Sequence, residues 1–220
     1  MREYFKKFKW SLLSSSILNL LPIGAGLILW EKLPEEMPSH WSVNGEVDGY
    51  ASRPVAVFVL PLILFAVQWL CFLFSGLDPK RRNLNPKMLS IVLGIIPGIN
   101  LVIHTGMYLW ALGYEIDIVP CICALLGVVM IVIGNYLPKC KQTYTMGIKL
   151  PWTLENEENW NATHRLAGKL WVGGGVLISV CGFLPGTIAF ITLMSVVALM
   201  CGIPTVYSYR LYKKQQKNVE

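Results

Sequence analysis

The sequence predicts an all-α integral membrane protein: six transmembrane helices, both termini cytoplasmic, a small extracellular β-hairpin and a cytoplasmic interfacial helix. Three observations carry that reading. The 220 residues are 54% hydrophobic and only 15% charged, with a mean hydropathy of +0.51, whereas soluble domains carry roughly a quarter charged residues. Apolar runs recur near the ~20 residues needed to cross ~30 Å of hydrocarbon. Lys and Arg collect between alternate runs, the bias that sets orientation in a membrane.

The expected spans are Trp10–Trp30, Pro54–Gly76, Met88–Leu112, Ile116–Tyr136, Leu166–Leu184 and Thr187–Tyr209. Lipid leaves backbone polar groups no partner outside the helix, so such runs are strong signals. The first has a basic flank, but it is long for a signal peptide. It is followed by "EKLPEEMP" rather than a small-residue cleavage site, and is read as a retained helix. Pro97, Asn100 and His104 interrupt the third span, and Gly173, Gly174 and Gly175 the fifth. Gly94 and Gly98 have the spacing that permits close helix approach. Two halves follow: residues 1–112, three helices with an outward loop 31–54, and residues 113–220, three helices with an inner loop 137–165.

The net charge is +6, but its placement matters more than its sum. Arg2, Lys6, Lys7 and Lys9 precede the first span. Lys80, Arg81, Arg82 and Lys87 follow the second, Lys139, Lys141, Lys149 and Arg165 the fourth, and Arg210, Lys213, Lys214 and Lys217 the sixth. With six spans all four groups share one side. The other side holds Lys32 and Arg53 against Glu31, Glu35, Glu36, Glu46, Asp48, Glu115 and Asp117. Membrane orientation therefore accounts for the basic residues, and direct nucleic-acid binding is not expected. Five of the six cysteines lie within apolar runs without CxxC or Cys/His spacing, so they read as small apolar side chains, with no metal site or cofactor expected.

The outward loop "LPEEMPSHWSVNGEVDGYASRP" contains Asn44-Gly45, a strong two-residue hairpin signal. In a type I′ hairpin Val43 would face Glu46, and Trp41 would face Asp48. His40, Glu46 and Asp48 have no diagnostic metal spacing. Outward acids would attract cationic peptides through long-range fields that salt screens.

The inner stretch "GIKLPWTLENEENWNATHRLAG", Gly147 to Gly168, is the longest polar run. Pro151 biases Leu150 away from helix. Asn156 is a good N-cap, with Glu157 and Glu158 in the first turn that follows. Trp160 and His164 lie one turn apart on a shared face. This helix is expected along the inner membrane surface before it turns into span five, with Trp152 and Trp160 in the interfacial belt. No Ser or Cys nucleophile pairs recognisably with His164. The crowding of Thr153, Asn161, Thr163, His164 and Arg165 exceeds what an interfacial anchor requires. A small transporter or membrane-embedded enzyme using this cluster is the alternative reading. Asn19, Gln68, Asn100, His104 and Asn135, in or near spans, are expected to face the bundle interior.

Together the two segments resemble known families. The outward loop resembles an outer-loop domain of small bacterial membrane proteins, in which LP, an IP-like pair, His, Asn, Gly, Asp and a later Pro recur. "GNYLPKCKQTYTMGIKLPWTLENEENWNATHRLAG" resembles the SdpI bacteriocin-immunity family, with hallmarks GN-(Y/F), N/T-Y-x-x-G-I-R-T-P-W-T-L, W and T-H-R-x-x-G. Lys149-Leu150 stands where the family commonly has Arg-Thr, and lysine keeps the charge but not the planar fork.

The resemblance implies a multi-pass protein of the bacterial cell membrane that protects a producing cell from a secreted peptide toxin. It also implies, for the founding member, a second role: the toxin-bound protein holds a cytoplasmic winged-helix repressor at the membrane. Carried over by position, the outer motif is His40, Trp41, Asn44, Gly45, Glu46 and Asp48. The inner motif, for partner docking or for locking the bundle, is Asn135, Gly147, Lys149, Pro151, Trp152, Thr153, Trp160, Thr163, His164, Arg165 and Gly168.

Overall fold

The computed structural model describes residues 1–217. Six long helices run alternately between two ends of a bundle: α1 (Arg2–Ile28), α2 (Leu60–Leu77), α3 (Pro86–Ala111), α4 (Ile118–Tyr136), α6 (Glu157–Cys181) and α7 (Gly186–Lys217). A short helix α5 (Pro151–Glu155) precedes α6, and two antiparallel strands, β1 (Glu36–Trp41) and β2 (Val47–Ser52), lie between α1 and α2. Among the described residues, five helical segments are long and apolar enough to cross a membrane: Arg2–Ile28, Val55–Leu77, Pro86–Ala111, Ile118–Lys139 and Gly186–Lys217. The expected fifth span lies in α6, whose first two turns are polar. Many large apolar side chains point outward, Ile28 and Phe183 among them, as surfaces facing hydrocarbon do.

Local chemistry sets the ends of these helices. Asn85 caps α3 by accepting from Lys87 N–H and Met88 N–H, and Asp117 caps α4 by accepting from Val119 N–H. Such caps satisfy donors that the first turn leaves free. Before α2 the backbone forms a π-helical turn, Val55–Val59, in which Leu60 N–H reaches back to Val55 O. The next residue, Pro61, has no N–H to offer Ala56 O. His104 fills that gap, with Nε2 3.2 Å from Ala56 O and Nδ1 2.9 Å from Asn100 O.

His104 belongs to a buried polar cluster that ties α1, α2 and α3 together. Asn19 donates to Gln68 Oε1 (2.9 Å), Gln68 donates to Ser15 Oγ (2.9 Å), and Asn100 donates to Asn19 Oδ1 (2.6 Å). Tyr108 adds a hydrogen bond to Pro22 O. The four polar side chains expected inside the bundle from the first three spans are all buried there. Asn135 is not: it is exposed on the last turn of α4.

The tightest helix pairing is α4 against α6, and it rests on glycine. Gly127 and Gly134 lie seven residues apart on α4, as do Gly168 and Gly175 on α6. A Cβ on Gly134 would stand 3.0 Å from Gly168 O, and one on Gly175 would stand 2.7 Å from Gly127 O. The backbones therefore touch directly. Gly174 takes Met200 of α7 on another side. The pair singled out from sequence, Gly94 and Gly98, faces open space: its spacing matches the motif, but no helix lies against that face.

We expect Gly134→Ala to destabilise the protein by about 1–3 kcal/mol through forced separation of α4 and α6. Gly94→Ala should stay within about 1 kcal/mol of wild type or gain slightly from helix propensity. Thermal unfolding of both variants in detergent checks the contrast, and equal losses would remove it.

Candidate functional site

The inner motif builds one folded end of the bundle, here the loop end, where the starts of α1 and α6 and the last turns of α7 meet. Helix α6 begins where the sequence places it. Asn156 is the N-cap, accepting from Asn159 N–H at 2.9 Å, with Glu157 and Glu158 in the first turn. It then runs unbroken to Cys181, through the three glycines, rather than turning at the membrane surface. The reason is burial: Trp160, Thr163, His164, Ala167 and Gly168 form a stripe that packs inward from the start of the helix.

Trp160 is fully buried, which corrects its expected place in an interfacial belt. Its indole N–H donates to Cys140 O (2.7 Å), and its ring stacks on the His164 imidazole with centroids 4.0 Å apart. His164 Nε2 accepts from Ile148 N–H (2.9 Å), and so His164 Nδ1 carries the proton and donates to Trp160 O (2.7 Å). Gly147 passes along the edges of both rings with φ +111°, where a Cβ would stand 2.6 Å from His164 Nε2 and 2.7 Å from the Trp160 ring. Only glycine combines that backbone conformation with that lack of bulk. Both His164 nitrogens are committed, so no free lone pair remains to act as a base, and a catalytic role for this residue loses its geometric footing.

The other motif residues divide cleanly. Thr153 is buried, accepting from Leu150 N–H (2.9 Å) and donating to Ile148 O (2.8 Å). Thr163 donates to Asn159 Oδ1, and Asn159 donates to Ser208 O on α7. Trp152 is half-buried: its indole donates to Ser208 Oγ and its ring stacks on Tyr212. Gly168 is buried against Pro138. Asn135, Lys149, Pro151 and Arg165 are exposed.

The sequence reading passed over the residue that ties this end together, Asp78. It is buried, and its carboxylate accepts from Lys80 N–H (2.7 Å), Tyr144 N–H (2.9 Å), Thr145 N–H (2.9 Å) and the Thr145 hydroxyl (2.8 Å). Gln142 extends the link, accepting from Lys80 and Asn83 and donating to Thr153 O. The signal was present: Asp78 is the lone acid beside Lys80, Arg81 and Arg82. Burial also pushes the Cys140 thiol up to about 11, so it stays a thiol.

At the opposite end the hairpin differs from the expected type I′ form. Gly45 has φ +83°, but Asn44 does not have positive φ. Gly45 N–H donates to Ser42 O (3.0 Å) and Ser42 N–H donates to Glu46 O (2.7 Å). This is a three-residue loop in which one left-handed glycine does the turning and Asn44 avoids the steric cost. The register moves accordingly: Trp41 opposes Val47, not Asp48, and Ser42 rather than Val43 opposes Glu46. His40 Nδ1 lies 2.5 Å from Asp48 Oδ1, with both side chains largely exposed. Glu46 is exposed nearby. The hairpin tip rests on the second set of helices, with Gly45 beside Val119 of α4 and Asn44 against Gly186 of α7.

Comparison with known proteins agrees with both ends. The model of the SdpI/YfhL protein family matches residues 139–208, and that of a domain of unknown function (DUF1648) matches residues 17–65. The immunity protein SdpI of Bacillus subtilis (strain 168) is 30% identical over 200 residues, spanning 91% of this chain and 95% of that protein. The chain belongs to the SdpI/YfhL family. It is a multi-pass protein of the bacterial cell membrane. No solved structure matches it. The DUF1648 match covers the hairpin with the end of α1 and the start of α2 that flank it, and the SdpI/YfhL match covers Trp160, His164 and the loop that contacts them.

Burial pushes the His164 imidazole down to about 4, while an unfolded chain titrates it near 6.5. Between those values the unfolded chain binds a proton that the folded one refuses. The contribution of neutral His164 is therefore complete above about 6.5 and is lost as pH falls toward 4. Unfolding followed in detergent from pH 7 to 4.5 should fall more steeply for wild type than for His164→Gln, which lacks the titrating ring. Parallel curves would sink the assignment.

Proposed function

We propose that this chain is an immunity protein that protects its cell from a secreted antimicrobial peptide. The observation that carries the reading is the relationship to an immunity protein along nearly its whole length. Six spans and cytoplasmic termini complete it. The first and last described residues support this: at the loop end Tyr4 donates to Phe72 O and Gln215 to Glu158. Most of the Lys and Arg residues gather there, the bias of a cytoplasmic face. The hairpin end then faces outward, and its acids favour a cationic peptide. The enzyme or transporter reading of the polar segment is disfavoured, because Trp160, Thr153, Thr163 and His164 spend their hydrogen bonds on holding the loop end together.

The test is a survival curve. In a sensitive bacterium lacking its own immunity protein, the inserted chain should shift killing by purified SDP-type peptide toxin to higher concentrations. Glu46→Gln with Asp48→Asn should take back part of that shift, more at low salt. No shift with the chain correctly inserted would end the immunity reading for that toxin, and an unchanged shift in the double variant would remove the electrostatic contribution.

The same proposal extends to signalling through a repressor docked at the loop end. Exposed Lys149 and Arg165 suit that role, whereas Trp160 and His164 are interior and serve it only by holding the surface. Lys149→Ala with Arg165→Ala should keep protection yet abolish membrane recruitment of a co-expressed winged-helix repressor. Recruitment at the wild-type level would exclude this surface.

A further inference from the structure

A groove of about 400 Å³ opens beneath the hairpin tip, where the chain segments of the outward end converge. Val119, Ile122 and Cys123 of α4 form one wall, and Phe190 and Leu193 of α7 form the other. Trp41 and Val43 roof it, and the His40–Asp48 pair stands at its rim. Its volume falls within the roughly 300–1,000 Å³ typical of ligand pockets. Val43 and Phe190 are 44% and 47% exposed, so the apolar walls are open.

The charge around the groove narrows its occupant. Asp48 is on the rim, Glu46 closes the hairpin loop beside it, and Asp117 lies just before α4. Of the two cations at this end, Arg53 is tied down: it donates to Trp30 O and Leu33 O, and its guanidinium lies over the Trp30 ring. Among the described residues no Lys or Arg pairs with these carboxylates; Asp48 meets only the His40 imidazole, and Asp117 the first turn of α4. An apolar slot beside such carboxylates fits a segment that is apolar with a flanking positive charge. A phospholipid chain would bring a phosphate into the same acidic field.

We propose that this groove is the peptide-binding site: it seats an apolar segment of a secreted cationic peptide, with Asp48 facing the peptide's positive charge. The proposal rests on the immunity reading and adds the place of contact. It also explains why the hairpin leans on α4 and α7. The strands belong to one half of the chain and the groove walls to the other, so the site exists only when the two are docked.

The test keeps the site separate from the reading beneath it. Ile122→Trp fills the groove, and Val128→Trp puts the same bulk at an exposed position of the same helix away from it. With equal amounts of protein in the membrane, Ile122→Trp should lose at least tenfold in the peptide concentration tolerated, while Val128→Trp keeps wild-type protection. In parallel, maleimide labelling of Val43→Cys in proteoliposomes should slow several-fold on addition of the SDP-type peptide, while labelling of Val128→Cys should not. Full protection by Ile122→Trp with unaltered labelling of Val43→Cys would overturn the groove and leave the immunity reading intact. Slowing by added anionic lysophospholipid but not by peptide would assign the groove to lipid, and disulfide-linked dimers of Val43→Cys would assign it to a second copy; either overturns the proposal. Failure of wild type itself to protect would overturn both.

Discussion

The indole of Trp160 is where the first three helices meet the last three. It lies in one core cluster with Phe8 and Leu12 of α1, Phe72 of α2, and Met88, Leu89 and Leu93 of α3. It also carries the hydrogen bond to Cys140 O and the stack on His164. A buried indole needs a partner for its N–H, and here that partner is the backbone of the loop it covers. The polar segment is thereby drawn inward instead of lying on the membrane surface. That one placement explains why α6 starts so early, why Gly147 must lack a side chain, and why His164 is neutral.

What was legible in the sequence followed from strong and local forces. Hydropathy located the helices because an apolar run in lipid has few alternatives, and the capping chemistry of Asn156 placed the start of α6. The errors came where tertiary contact decides. Gly94 and Gly98 have the right spacing for a helix crossing but lack a neighbouring helix. Gly127 and Gly134, at a spacing of seven, form the real one with Gly168 and Gly175. Trp160 carried a polar context that suggested an interface, yet its surroundings come from α1, α2 and α3, far away in sequence. The hairpin was foreseen and its register was not, because one positive-φ glycine closes a three-residue loop as readily as two positive-φ residues close a shorter one. Asp78 was hidden by the opposite habit, that of reading an inner loop only for its bases.

The two halves of the chain are held together by different means. Between α1, α2 and α3 the link is a chain of amides and hydroxyls: Ser15, Asn19, Gln68 and Asn100, with His104 closing the gap left by Pro61. Polar groups in hydrocarbon gain little by remaining apart, so such a chain fixes which helices are neighbours. Between α4 and α6 polar side chains are nearly absent, and direct backbone approach at glycine does the work. The first arrangement fixes partners by chemistry, the second by shape.

Helix α7 is the element that touches both candidate surfaces. Its first residue, Gly186, lies against Asn44 at the hairpin tip, and Phe190 and Leu193 line the groove beneath it. Near its other end, Ser208 accepts from Trp152 and Asn159, the residues that brace the exposed face bearing Lys149 and Arg165. Helices α4 and α6 are locked to each other by backbone contact and resist sliding. Helix α7 meets α6 through Met200 against Gly174 and through hydrogen bonds of Trp171 to Met200 O, Asn159 to Ser208 O and Gln215 to Glu158. Flexible methionine packing tolerates displacement in a way that glycine-to-backbone contact does not.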